Sequence, residues 1–241
     1  MKIISMHKVD AKMEAGVLPG AELIQGMGRL MGEMRRSEVF IDGAGLRPSA
    51  TRVRLRFAGG ERTVEHGPYR GSNELVAALH LIKVRDLDEA MGWASRYGEA
   101  LGDVELEVGP VTEAWDLGVI PKPADAPLRC LLLQKADAAS EAGQPLPPKT
   151  ARALTALTEE MRKAGVLQAA ERVQPSRKGM RMKVEGKKPT VVDGPFAESK
   201  EMIAGYIILE LPSVAAAHPW CLKFAEVIGD TEMDVLPLDE G

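Results

Sequence analysis

The chain matches itself. A shift of 127 positions lays Thr63-Val64-Glu65-His66-Gly67-Pro68-Tyr69 on Thr190-Val191-Val192-Asp193-Gly194-Pro195-Phe196 without a gap. It also lays Lys8, Asp10, Glu14 and Gly16 on Lys135, Asp137, Glu141 and Gly143, and Glu33-Met34-Arg35 on Glu160-Met161-Arg162. Trp93 falls on Trp220 and Pro110 on Pro237. Roughly 30 of about 110 aligned positions are identical, far above chance for an ungapped match. The sequence reads as a tandem duplication, so whatever one half folds into, the other must be able to fold into as well.

Residues 1–112 and 128–241 form the two copies, and 113–127, with Pro121, Pro123 and Pro127, reads as a linker. Each copy is large enough for a compact domain. The apolar runs Ile3–Met6 and Leu128–Leu133 read as strands covered on both faces. Amphipathic helices follow, with Leu23, Met27, Leu30, Met31 and Met34 on one stripe and Leu154, Leu157 and Met161 on the other. Strands come next at Val39–Ile41 and Val166–Ala169. Val53-Arg54-Leu55-Arg56-Phe57 and Met180-Arg181-Met182-Lys183-Val184 alternate with period two, which predicts strands with their cations facing solvent. Each turns back as a hairpin into a Gly-Pro loop, and the long strands Leu75–Val84 and Met202–Leu211 follow. Asp86 with Glu89 caps a second helix in the first copy. In the second copy Ser213 caps, and Pro219 is expected to kink or restart the helix after His218. Closing strands run over Val104–Val108 and Thr231–Leu236.

Without its hairpin, each copy runs strand, helix, strand, strand, helix, strand. That order predicts an α+β fold: an antiparallel ferredoxin-like sheet with both helices on one face. The other face is apolar, and the same face of the second copy is its expected partner, giving an intramolecular pseudo-dimer.

Aromatic residues are only 4%, so the core has to be built from Leu, Ile, Val, Met and Ala. A net charge of −4 argues against nucleic-acid binding and gives no support for anionic membrane surfaces. No run approaches the ~20 apolar residues of a membrane span, and Ile3–Met6 is too short for a signal peptide. Cys130 and Cys221 lack metal or CxxC spacing and read as reduced core residues of a cytoplasmic protein.

Asp193-Gly194-Pro195-Phe196-Ala197-Glu198-Ser199-Lys200-Glu201, followed by Gly205-Tyr206-Ile207-Ile208, resembles the signature of the DGPF branch of the YCII-related proteins. The likeness runs through the second copy to Trp220 and more weakly through the first. It implies a dimeric α/β-barrel fold of two ferredoxin-like units packed sheet to sheet. By analogy it implies small-ligand binding or a regulatory role beside an extracytoplasmic-function sigma factor as partner, or a small cofactor-free enzyme. The resemblance also associates a His–Asp pair with the better-studied branch, its His on the first helix. Neither first helix here contains a His.

Several residues are candidates for chemistry. Asp193 is placed to act as a general base in the cleft between the copies, with Glu198 and Lys200 beside it and Gly194, Pro195 and Phe196 shaping a ligand site. A structural reading stands beside it, since Asp-Gly-Pro is good turn chemistry in its own right. In the first copy His66, Tyr69 and Arg70 occupy the equivalent loop, either as a lost site or as one for a different ligand. His7 and His80 lie on the first and third strands of the first copy, where the rings are expected to converge. No metal, dinucleotide or triad motif is present, and no cofactor is expected. A scaffold role, with the duplication only fixing the dimer, is the third reading, and further homodimerisation is open to all three.

Overall fold

The computed structural model describes residues 1–196 and 199–239. The first half of the chain runs β1 (Lys2–Lys8), α1 (Ala11–Glu14), α2 (Ala21–Arg36), β2 (Phe40–Leu46), β3 (Val53–Ala58), β4 (Glu61–His66), β5 (Val76–Val84), α3 (Leu87–Leu101) and β6 (Val104–Thr112). The second runs β7 (Leu128–Lys135), α4 (Ala138–Glu141), α5 (Pro148–Lys163), β8 (Leu167–Arg172), β9 (Met180–Glu185), β10 (Lys188–Asp193), β11 (Ile203–Glu210), α6 (His218–Ile228) and β12 (Thr231–Pro237). The protein is α+β with a large antiparallel sheet. The one-turn helices α1 and α4 replace part of each expected loop, because Asp10 and Asp137 cap them by accepting from the amides of Met13 and Ser140. Pro219 does restart a helix: a 3-10 turn over Val214–Ala217 precedes α6, which has a proline in its first turn, where its missing N–H costs nothing. Among the described residues, no helix is long and apolar enough to cross a membrane.

Strand pairing ties the two halves together. β1 does not pair with a strand of its own half; it lies between β11 and β12, with Ile4 opposite Ile208 on one side and Leu236 on the other. β2 lies on the far side of β11. Symmetrically, β7 lies between β5 and β6, and β8 on the far side of β5. One layer is thus ordered β10-β9-β12-β1-β11-β2 and the other β4-β3-β6-β7-β5-β8, each with strands from both copies. The layers meet at two seams: Leu46 pairs with Val111, and Val173 with Leu238. Eight strands therefore form a closed ring, from which the β3–β4 and β9–β10 hairpins project.

This pairing gives three cores. Ile4, Met6, Leu79, Leu81, Leu131, Leu133, Tyr206 and Ile208 fill the ring between the layers. Helices α2 and α6 cover one layer over Leu30, Met34, Met182, Phe224 and Met233. Helices α3 and α5 cover the other over Leu55, Ile82, Ala94, Leu132 and Met161. Period-two alternation sends successive residues of one strand to different cores, so Ile3 lies under helices while Ile4 lies inside the ring.

The exchange has a direct consequence for stability. Residues 1–112 expressed alone lack both neighbours of β1, and residues 128–241 lack both neighbours of β7. Neither fragment is expected to fold as a monomer, whereas co-expressed fragments should form a cooperative 1:1 complex. Light scattering with circular dichroism checks this, and a folded monomeric fragment would contradict the pairing.

Candidate functional site

The two Gly-Pro loops have the same local construction. The Gly67–Pro68 and Gly194–Pro195 peptides are both cis. Each glycine sits against the 3-10 turn that follows β2 or β8. A Cβ at 67 would lie 1.8 Å from the Ser49 carbonyl oxygen, and one at 194 would lie 1.8 Å from that of Ser176, so only glycine fits. Ser49 and Ser176 are themselves held, since their hydroxyls donate to Glu14 and Glu141. The Ser176 hydroxyl also accepts from the Phe196 amide at 3.1 Å. The loops then meet each other. The Glu74 amide donates to the Ser199 carbonyl at 2.7 Å, and Gly71 lies against the Lys200 carbonyl.

Beneath the loops lie buried charges. Arg52, Arg54, Glu74, Glu107 and Lys135 are each at most 5% exposed. Glu74 pairs with Arg54 at 2.9 Å and with Lys135; Glu107 pairs with Arg52 at 3.0 Å and Lys135 at 3.2 Å. Arg54 stacks 4.2 Å from the centre of the Tyr69 ring. Burial pushes the Glu107 carboxyl up, but Lys135, Arg52 and Arg54 outweigh it and hold the group down at about 2. The other layer has a smaller version. Asp234 pairs with Lys8 at 2.6 Å and Arg181 at 2.6 Å, and Arg181 stacks 4.5 Å from Phe196. Burial works against the Asp234 carboxylate too, and Lys8 and Arg181 still keep it below the usual carboxylate range.

The alternating strands thus correct the sequence reading only in part, since Arg56 of β3 and Lys183 of β9 do face solvent. Arg52 and Arg54 are buried rather than solvated, because carboxylates from β6 and the loop meet them and the loops cover them. Each of these carboxylates is paired with buried cations. They bind the loops to the ring.

The loop residues singled out from sequence divide into two sets. Phe196 and Tyr69 point inward and are buried. Asp193, opposite Met180 at the end of β10, is exposed, as are Lys200, His66, Pro195 and Arg70. Gly194 is partly buried in the turn. Glu198 lies outside the described residues. Burial of the Tyr69 phenol drives its pKa well above the ordinary value, so it is a neutral hydroxyl rather than a base.

His7 and His80 do not converge. β1 and β5 stand in different layers, so the two rings lie under different helices, His7 beside Phe224 at 5.0 Å and His80 edge-on to Tyr97 at 4.7 Å. These surroundings are positional equivalents, since Phe224 and Tyr97 stand 127 positions apart, as do His7 and Gln134. Under α3 the place is packed shut: Leu132 is fully buried, His80 is 6% exposed, and the Tyr97 hydroxyl donates to Gln134 at 3.0 Å. Under α2 and α6 it is a crevice. Ser5, His7, Met34, Ile207, Leu209, Trp220, Cys221 and Phe224 line it, and Ser5, His7, Ile207 and Trp220 remain partly accessible. Ser5 stands where the other layer has Leu132, and Cys221 where it has Ala94.

The chemistry of the crevice is that of a neutral, mostly apolar slot. Burial lowers His7 to about 4, reinforced by Lys8, while Asp10 and an accepting Gly205 backbone pull weakly the other way. Burial pushes the Cys221 thiol up to about 11, partly offset by Ser5, whose Oγ lies 3.9 Å from Sγ. The thiol is protonated at neutral pH and is no nucleophile. At the mouth Lys223 of α6 pairs with Glu33 of α2 and lies 4.7 Å from the Trp220 ring centre. Arg96, Glu160 and Trp93 repeat that strap over the closed place. Among the described residues, no group of three or more His, Cys, Asp or Glu side chains is arranged to hold a metal. Sequence reasoning missed Ser5 and Cys221. The only signal was the polar alternation of Ser5 and His7 beside Ile3, Ile4 and Met6 in β1.

Two outcomes follow for variants and pH. Glu74→Ala leaves Arg54 and Lys135 buried without their carboxylate and should cost about 3–5 kcal/mol in denaturant unfolding. Asp193→Ala, at an exposed strand end, should change stability by less than about 0.5 kcal/mol. His80 also sits at about 4, lowered by burial and by Arg172. The unfolded chain takes up both imidazole protons near 6.5 and the folded protein only near 4, so stability should fall as pH drops from 6.5 toward 4. Glu107 adds its own loss only below about 4.5. Between pH 6.5 and 4.5 the His7→Leu/His80→Leu variant should therefore show a flatter stability profile than the parent.

Residues 129–227 match the family model of the YCII-related domain. No curated protein and no solved structure matches the chain. The matched stretch runs from β7 through the second Gly-Pro loop and Cys221 to the last turn of α6, so the second half of the chain is similar to a YCII-related domain.

Proposed function

We propose that the protein binds a small molecule at one site per chain, the crevice between its sheet and helices α2 and α6. The proposal takes the chain as a duplicated pair of ferredoxin-like units that have exchanged their first strands. The observation that carries it is the contrast between two equivalent places. Leu132, Ala94 and Tyr97 close one, whereas Ser5, Cys221 and Phe224 leave Ser5, His7 and Ile207 accessible in the other. Close packing is the default in a protein interior, so a partly accessible gap of about 10 Å³ beside a histidine and a serine is the place from which a ligand site would open. A regulatory role beside a sigma factor would use this slot as an effector pocket. A general-base role for Asp193 has less support, since its side chain is exposed and the carboxylates nearest the loops are tied to cations.

Ser5→Leu installs the residue of the closed place and should fill the slot without loss of folding. A ligand found by native extraction or a thermal-shift screen, at 100-fold excess over Kd, should raise the melting temperature of the parent by about 5–10 °C. That shift should vanish in Ser5→Leu and persist in Asp193→Ala. A shift that survives Ser5→Leu unchanged would place the ligand elsewhere.

A further inference from the structure

We infer that a site separate from the crevice, the groove at the end of β5 where residues 124–127 lead into β7, binds a small aliphatic zwitterion of the amino-acid kind. Its carboxylate lies at Lys83 and its ammonium at Asp125. Three walls form the groove: the end of β5 with the start of α3, residues 124–127, and the turn from α5 into β8. It shares no lining residue with the crevice. Its volume is about 460 Å³, within the usual range of small-molecule sites, and it is open to solvent.

The charges in the groove decide the class of ligand. Four of its side chains are charged, and two of these satisfy each other: Arg85 donates to Glu89 at 2.9 Å from both its backbone N–H and its Nε. Lys83 and Asp125 are left, on different walls, and neither is in an ion pair among the described residues. Lys83 also stands directly opposite Arg129 across the β5–β7 ladder, and Arg129 already holds Glu113 at 2.6 Å. Like charges opposite each other in a sheet repel, so a carboxylate at Lys83 relieves a repulsion that the chain leaves in place. An anion alone would meet the unpaired Asp125, and a cation alone the unpaired Lys83; a ligand with both charges complements both walls. The remaining lining is small and aliphatic. Val84, Ala126, Pro127 and Val166 offer alkyl surface, no aromatic ring is present for stacking, and Gly165, at φ +69°, leaves its part of the wall bare where a Cβ would point into open space. The place 127 positions away does not repeat this chemistry: Glu210, Pro212 and Ala216 stand for Lys83, Arg85 and Glu89, and Glu38 stands for Gly165.

Both charged partners are exposed, so each contact is screened and the expected affinity is in the millimolar range. Titration of the intact, nitrogen-15-labelled protein with valine at constant ionic strength, followed by amide chemical shifts, tests site and ligand class together. Saturable shifts should appear at Val84, Ala126, Gly165 and Val166 and be absent from Ser5 and His7. N-Acetylvaline, which keeps only the carboxylate, and valinamide, which keeps only the ammonium, should each bind about three- to fivefold more weakly than valine. In Lys83→Met the preference for valine over valinamide should disappear while that over N-acetylvaline remains. Asp125→Asn should do the reverse, a reciprocal pattern that general damage to the groove would not produce. No saturable shift around the groove, binding of N-acetylvaline or valinamide as tight as that of valine, or preferences unchanged in both variants would overturn the assignment. Shifts at Ser5 and His7 in place of the groove would give the ligand to the crevice and overturn it as well.

Discussion

Everything in this molecule depends on β1 lying between β11 and β12. A strand at an edge can be lost with little else changing; a strand inserted between two others, with ladders on both sides, cannot. Its insertion closes the ring and carries its alternate faces to two different cores. Ile4, Met6 and Lys8 face the ring interior, where Lys8 meets Asp234 from the far end of the chain. Ile3 and the crevice residues Ser5 and His7 face α2 and α6. A shift of one residue would put Lys8 under the helices and His7 into the ring, so the register is fixed by ion pair and core together. The crevice exists only because residues about 200 positions apart are brought together by this one strand.

The Gly-Pro loops are the next consequence. They close over the buried charges inside the ring, with Tyr69 and Phe196 as inward anchors and Arg54 and Arg181 stacked on them. Ion pairs of this kind add little net stability compared with apolar packing, but they are costly to break singly, which fixes where the loops sit. The signature stretch is accounted for by this role: the glycine by the approach to Ser176, the phenylalanine by burial against Arg181. The aspartate is left on the surface.

Much of the fold was legible in the sequence because period and punctuation act locally. The helical stripes at Leu30–Met34 and Leu154–Met161, the hairpins, the cap at Asp86 and the restart at Pro219 all depend on neighbours a few residues away. Strand partners are different. Two copies with the same pattern can pair within themselves or across, and nothing in the alternation of β1 distinguishes β5 from β11. That ambiguity misplaced His7 beside His80. It also hid the fate of Arg52 and Arg54, whose carboxylate partners Glu74 and Glu107 are distant in sequence and on other elements. The crevice was hardest to read, since it arises from what is missing: Ser5 where the other copy has Leu132.

The two halves of the chain hold places of unlike content 127 positions apart in sequence, one packed and one open, and β1 alone supplies the polar face of the open one. Ring-to-ring nuclear Overhauser contacts in isotopically labelled protein test this most directly. The account expects a His7–Phe224 contact, across ring centres 5.0 Å apart, and none between His7 and His80. A His7–His80 contact without one to Phe224 would mean that β1 pairs within its own copy, and the crevice would not exist.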